Sequence, residues 1–255
     1  MNQENDYYQQ ESTPSGNLIP FNQAHMLYII GTPIGNIQDI SYRAASILQS
    51  CKYILCEDTR SADIMLSKLV ELTGITPKTK SHKLISYYKD REMEKLPEII
   101  DLLNAGNDMC LISEAGMPLI SDPGYLLMKV AINEGIEYTV IPGPSSVLTA
   151  LIHSGYKSDT FMFLGFLPKK KGQLLKLIDK IKKIKEVFPN NSFVAFESPH
   201  RIKETIEILR RELPENSVTI ARELTKKYEE VFRINQKNEL TAETEIKGEI
   251  TLVID

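Results

Sequence analysis

The sequence predicts an α/β protein built as two domains. Three observations carry that prediction. Short apolar runs that read as buried strands alternate with segments of helical periodicity. The same series begins a second time after residues 142–146. A chain of 255 residues also has room for two cores of ordinary size. Hydrophobic residues at 42% and charged residues at 25% lie in the range of folded globular chains, so disorder is excluded as a description of the whole.

In chain order, residues 1–25 contain no Lys or Arg, and their acids are Glu4, Asp6 and Glu11 in a setting of Gln, Asn, Ser and Pro. That composition predicts a flexible polar tail. LYIIG, Leu27 to Gly31, reads as a buried strand closed by a Gly and Pro turn. SYRAASILQS follows with helical spacing, placing Ile40, Ala44, Ile47 and Leu48 on one face. YILCED then reads as strand, SADIMLSKLV as helix, MCLIS as strand, DPGYLLMKVAINEG as a helix ended by Gly135, and YTVIP as strand. This alternation implies a mostly parallel sheet with helices on its faces. The second series runs through TFMFLGF as strand, a Lys-rich helix, SFVAFE as strand, a helix from His200 to about Leu213, SVTIAREL as strand and a terminal strand EITLVID. The domains are expected at residues 26–143 and 144–255.

Composition narrows the function. A formal charge of −4 excludes a uniformly basic coat for nucleic acid but leaves room for a local basic patch. No apolar run has the length a membrane span needs, and the first residues lack the basic start and apolar core of a secretory signal. Cys51, Cys56 and Cys110 have neither disulfide-framework numbers nor CxxC spacing, which fits a reducing cytoplasm and no metal site.

Ligands of open α/β sheets collect at the carboxyl ends of strands, and several turns there have unusual composition. GTPIGN (Gly31 to Asn36) allows close backbone approach, or simply makes a tight turn. EDTR (Glu57 to Arg60) sets two carboxylates, a hydroxyl and a guanidinium before a helix; Asp58 or Thr59 could equally be its N-cap. SEAGMPLISDPG (Ser113 to Gly124) concentrates small residues, prolines and acids, as a binding loop does. IPGPSS opens a helix, with Ser145 and Ser146 able to cap it or to meet a ligand. FESPHR gathers Glu197, His200 and Arg201, although a single His at a helix start is commonly structural. Between Lys169 and Lys185 lie eight Lys and one Asp, a local charge of +7 on a helix whose apolar face is Leu174, Leu177, Ile178, Ile181 and Ile184. Such a face is either merely solvated or tracks a polyanion such as RNA.

Taken together and in this order, TPIGN, EDTR, SEAGMPLISDPGY, PGPSS, GFLPKKKG, ESPHR, ARELTK and a closing GEITLVI resemble the tetrapyrrole methylase superfamily. Within it they resemble the methyltransferases of small-subunit ribosomal RNA, over about residues 26 to 255. The resemblance implies two α/β domains with a cofactor cleft between them, a homodimer, and S-adenosylmethionine as methyl donor. It also implies 2′-O-methylation of a cytidine ribose in the decoding region of 16S rRNA, with the RNA or the small ribosomal subunit as partner.

Residue by residue, it places Thr32, Pro33 and Gly35 at the cofactor cleft. Ser113, Glu114, Ala115, Gly116 and Pro118 form its main loop, joined by Pro142, Gly143, Pro144, Ser145 and Ser146, with Glu197 and Ala221 facing from the second domain. Met117 stands where the family usually has Thr. For catalysis the candidates are Asp58, Glu197 and His200, with Asp58 expected to orient or deprotonate the ribose hydroxyl and Arg60 and Arg201 to hold flanking phosphates. Lys169, Lys170, Lys171, Lys176, Lys180, Lys182 and Lys183 are the expected RNA surface. A methylase of a small tetrapyrrole, and a noncatalytic module binding S-adenosylmethionine or ribosomes, are the alternatives; the first has no need of the lysines.

Overall fold

The computed structural model describes residues 25–75, 82–235 and 246–255. The expected flexible tail, up to residue 24, lies outside the described residues. The first half comprises β1 (Leu27–Ile30), α1 (Tyr42–Ser50), β2 (Tyr53–Cys56), α2 (Thr59–Thr73), β3 (Lys83–Ser86), α3 (Glu92–Asn104), β4 (Met109–Ile112), α4 (Tyr125–Glu134) and β5 (Tyr138–Ile141). Its strands lie in the order β3-β2-β4-β1-β5, every neighbouring pair parallel.

Period-two alternation sorts the side chains of this sheet between two cores. Ile30, Ile54, Cys56, Cys110 and Ile112 pack with Ala44 and Leu48 of α1 and Ala62, Leu66 and Leu69 of α2. Leu27, Ile29, Leu55, Met109 and Leu111 pack with Ile99 and Leu103 of α3 and Leu127 and Ala131 of α4. Helix ends follow local chemistry: Ser41 caps α1, and Gly74 and Gly135 end α2 and α4 in the left-handed conformation. The three cysteines are free and buried.

The second half comprises α5 (Ser146–Ser154), β6 (Phe161–Phe166), α6 (Lys171–Val187), β7 (Ser192–Glu197), α7 (Ile202–Glu212), β8 (Val218–Arg222), β9 (Glu230–Ile234) and β10 (Ile250–Ile254). Its sheet runs β6-β7-β10-β8-β9. One face packs on α6 and α7 through Leu174, Ile178, Ile181, Ile206 and Leu209. The other carries Val147, Ala150 and Leu151 of α5 together with Ile34, which reaches over from the turn after β1.

Three elements go beyond the sequence reading. β3 and α3 lie between the second helix and the MCLIS strand, in a stretch the periodicity left unassigned. β3 is a short edge strand with no fully buried residue, and α3 contains Pro97 and a highly charged first turn, so neither has a clean apolar pattern. β9 forms a hairpin with β8, so the second sheet is mostly antiparallel, with only β6 and β7 parallel. No helix among the described residues is long and apolar enough to cross a membrane.

Candidate functional site

The turns after β1, β4 and β5 are tied together. Thr32 and Gly116 exchange backbone hydrogen bonds, Thr32 N–H to Gly116 O at 2.8 Å and Gly116 N–H to Thr32 O at 3.1 Å. The Thr32 hydroxyl, fully buried, donates to Ser113 O at 3.2 Å. Gly31 and Gly143 press backbone against backbone: a Cβ on either would meet atoms of the other at 2.7 Å. Glycine is required on both sides of this approach. The same turn reaches the connection between β8 and β9 of the second sheet, where Asn36 N–H donates to Thr225 Oγ1 at 3.0 Å and Gly35 sits against Thr225 and Lys226.

Two adjoining cavities open beside this junction. The larger, about 510 Å³, lies between the sheets; Gly116, Asp122, Ser145, Phe166, Phe196 and Ala221 are among its walls. Phe166 and Phe196 meet edge to face at 5.3 Å between ring centroids. The smaller, about 380 Å³, is bordered by Pro33, Gly35, Asp58, Ser61, Met65, Lys68 and Lys226. Ile34, Glu57, Glu114, Ala115 and Glu249 belong to both.

Most of the expected residues gather here. Glu114, Ala115, Gly116, Ser145, Ser146, Glu197 and Ala221 line the larger cavity; Pro33, Gly35, Ser113 and Asp58 line the smaller. Thr32, Pro118, Pro142, Gly143 and Pro144 line neither; Thr32 and Gly143 hold the turns together instead. Met117 borders the larger cavity.

The catalytic candidates have separate surroundings. Asp58 is the N-cap of α2: its Oδ1 accepts from Arg60 N–H at 2.7 Å and Ser61 N–H at 3.3 Å. Those bonds hold its carboxyl below the usual carboxylate range. Arg60 is exposed, with its Nε 3.8 Å from Asp58. Glu197 is buried, and its carboxylate is already engaged by Ser198 N–H at 2.5 Å, the Thr205 hydroxyl at 2.8 Å and Arg201 Nη2 at 2.5 Å. Arg201 also donates to Leu167 O at 3.3 Å. Paired in this way, it holds the turn after β7. His200 is exposed and borders neither cavity.

The cavities add acids that the sequence reading had not singled out. Asp122 is pushed up to about 6 by burial, with the charge of Glu114 adding to the rise and the Ser113 hydroxyl opposing it. Glu57 is raised too, by burial and then by Asp122 and Glu114. Both stand inside motifs noted from sequence, EDTR and SEAGMPLISDPG; their place in the connections that follow β2 and β4 was the available signal. Among the described residues no group of His, Cys, Asp and Glu is arranged to hold a metal ion.

The Lys-rich segment lies apart from these cavities on α6 and the turn before it. Lys169, Lys170, Lys171, Lys176, Lys180 and Lys183 are exposed, while Lys182 is half-buried, 3.6 Å from Glu212.

A family model described as tetrapyrrole (corrin/porphyrin) methylases matches residues 26–238. The chain belongs to this family. The methylase is 43% identical over 233 residues to "Ribosomal RNA small subunit methyltransferase I" of Hydrogenobaculum sp. (strain Y04AAS1), covering 89% of this chain and 94% of that protein. To the protein of the same description from Thermotoga maritima it is 38% identical over 231 residues, covering 89% and 97%. Among solved structures, the methylase resembles the uroporphyrin-III-C-methyltransferase of Thermus thermophilus with a TM-score of 0.56, at 17% identity and 90% coverage of this chain and 93% of that one. That last likeness concerns the fold alone.

Proposed function

We propose that this tetrapyrrole methylase is an S-adenosylmethionine-dependent methyltransferase of small-subunit ribosomal RNA, acting on a cytidine 2′-hydroxyl in the decoding region of 16S rRNA. The carrying observation is the pair of cavities meeting at Glu57, Glu114 and Ala115, which offers adjoining spaces for a methyl donor and an acceptor. The relatives described as ribosomal RNA methyltransferases supply the substrate class.

The residues of the larger cavity fit the cofactor. Phe166, Phe196 and Val147 offer an apolar wall for a purine. Ser145 and Ser146 stand at the N-terminus of α5, where backbone N–H groups favour a carboxylate. Glu114 and Asp122 suit a cationic group. When bound, the cofactor supplies an electrophilic methyl group on a sulfonium. This chain's residues align the acceptor hydroxyl and take its proton. Glu57, on the wall common to both cavities and made more basic by burial, is the acceptor we favour; Asp58, held as a cap, orients the ribose from the smaller cavity. Arg60 remains the candidate for a flanking phosphate.

The lysines of α6 support an RNA partner on a second ground. Lys169, Lys170 and Lys171 sit at the N-terminal end of their own helix, where positive charge opposes the helix dipole. A bound phosphate relieves that opposition. Homodimerisation belongs to the same reading: Tyr138 and Val140 on edge strand β5, with Leu148 and Ile152 on α5, are exposed apolar side chains suited to a second copy. So do the domain limits 26–143 and 144–255 and a cytoplasmic location. The deciding experiment is transfer of labelled methyl from S-adenosylmethionine to naked 16S rRNA and to small subunits by the purified protein, with the modified nucleotide mapped. Label on a base, or none on RNA, defeats the reading.

A further inference from the structure

One buried carboxylate takes no part in either cavity wall. Glu92 opens α3 and is 8% exposed. Its Oε1 accepts a hydrogen bond from the backbone N–H of Gly124, a contact 32 residues distant in sequence. Gly124 is the N-cap of α4 and closes the loop that begins at Gly116 and carries Ile120, Ser121 and Asp122 along the larger cavity.

That loop is not a conformation the chain adopts by itself. Gly116 (φ 83°), Leu119 (φ 71°), Ser121 (φ 70°) and Gly124 (φ 126°) all lie at positive φ. For residues with a Cβ, such as Leu119 and Ser121, the left-handed region is sterically disfavoured. Something must hold such a loop from both ends. At its start the paired backbone bonds between Thr32 and Gly116 do so. At its finish the corresponding contact is the one between Gly124 and Glu92, reinforced by close packing: a Cβ on Gly124 would lie 2.7 Å from Leu111 Cδ2 and 2.9 Å from Leu119 Cδ1. The carboxylate itself is borne on a rigid support, since Ile99 and Leu103 of α3 share a core with Leu127 and Ala131 of α4.

We infer that Glu92 is a positioning residue for the cofactor cavity: by accepting the Gly124 N–H it fixes the end of the strained loop and so sets Ile120, Ser121 and Asp122 against the bound S-adenosylmethionine. The inference rests on the reading that the larger cavity takes that cofactor. An acceptor oxygen is what the contact requires, so Glu92→Gln preserves it and Glu92→Met, of similar length, removes it.

Calorimetry with S-adenosylmethionine, RNA binding, thermal melting and amide exchange at Gly124 test it together. In Glu92→Met we expect cofactor affinity to fall by at least about tenfold, RNA affinity to stay within about twofold, and the Gly124 amide to exchange faster in a protein that still melts cooperatively. In Glu92→Gln, cofactor affinity and Gly124 protection should stay close to the parent. If Glu92→Met does not fold, Glu92→Asp, one methylene short of Gly124, takes its place in the same comparison. Parent-like cofactor affinity in the variant lacking the contact overturns the inference, as does a loss equally deep in Glu92→Gln. A parent that protects Gly124 yet binds no S-adenosylmethionine overturns the cofactor reading and leaves the tether standing, so the two failures are distinguishable.

Discussion

Asp122 illustrates how a single side chain couples the cavity to pH. Burial lifts it to about 6, above its ordinary value of 3.8, so the native state keeps a proton that the unfolded chain releases. Between roughly pH 4 and 6 stability therefore falls as pH rises, and above about 6 the cost of the buried charge is complete. A cation in the cavity reverses that preference. S-adenosylmethionine affinity should weaken as pH drops through about 6, with proton release on binding below it, and Asp122→Asn should flatten the profile; titration in buffers of different ionisation heat checks both. Glu57 and Asp58 divide along similar lines. Glu57→Gln should lower turnover by at least about a hundredfold while cofactor and RNA still bind, the size expected for loss of a general base. Asp58→Asn keeps the cap of α2 and should melt like the parent, with the smaller fall in turnover of an orienting group. Single-turnover methyl transfer separates the two, and equal losses would defeat the assignment to Glu57.

At the scale of elements, the turns and α6 carry different duties. Gly143→Ala places a Cβ within 2.7 Å of the Gly31 backbone, which side-chain rotation cannot relieve. A loss of about 1–3 kcal/mol and weaker cofactor binding should follow, read by denaturant melts and calorimetry. Neutralising Lys169, Lys170, Lys171 and Lys176 should weaken RNA binding and flatten its dependence on salt without moving cofactor affinity, because fewer counterions are released.

These elements also show what the sequence discloses. Strands such as SFVAFE were legible as short apolar runs buried on both faces, and helices such as SYRAASILQS because an apolar face recurs at helical spacing. β3, α3 and β9 were not, being an edge strand, a charged helix with an internal proline and the outer strand of a hairpin. The composition of the turns pointed to the cavity walls, and the engagement of Glu197 by Arg201 and Thr205 stays within one strand-turn-helix unit, whereas the exposure of Glu57 to both cavities depends on how distant segments come together, which no local pattern encodes.

For the molecule as a whole, sedimentation at micromolar concentration should report about twice the chain mass of 28.9 kDa if the apolar surface of β5 and α5 meets a second copy. An active monomer at that concentration would exclude the dimer. Within one copy, the side chain of Ile34 connects the two sheets mechanically, because it leaves the turn after β1 and ends among Val147, Val194 and Val253. Opening the cleft by a hinge would draw that side chain out of an apolar core, at a cost comparable to the about 2–5 kcal/mol of truncating it. The cleft thus behaves as a clamp of set width: the two halves should unfold in one calorimetric transition, and Ile34→Ala should divide that transition into two.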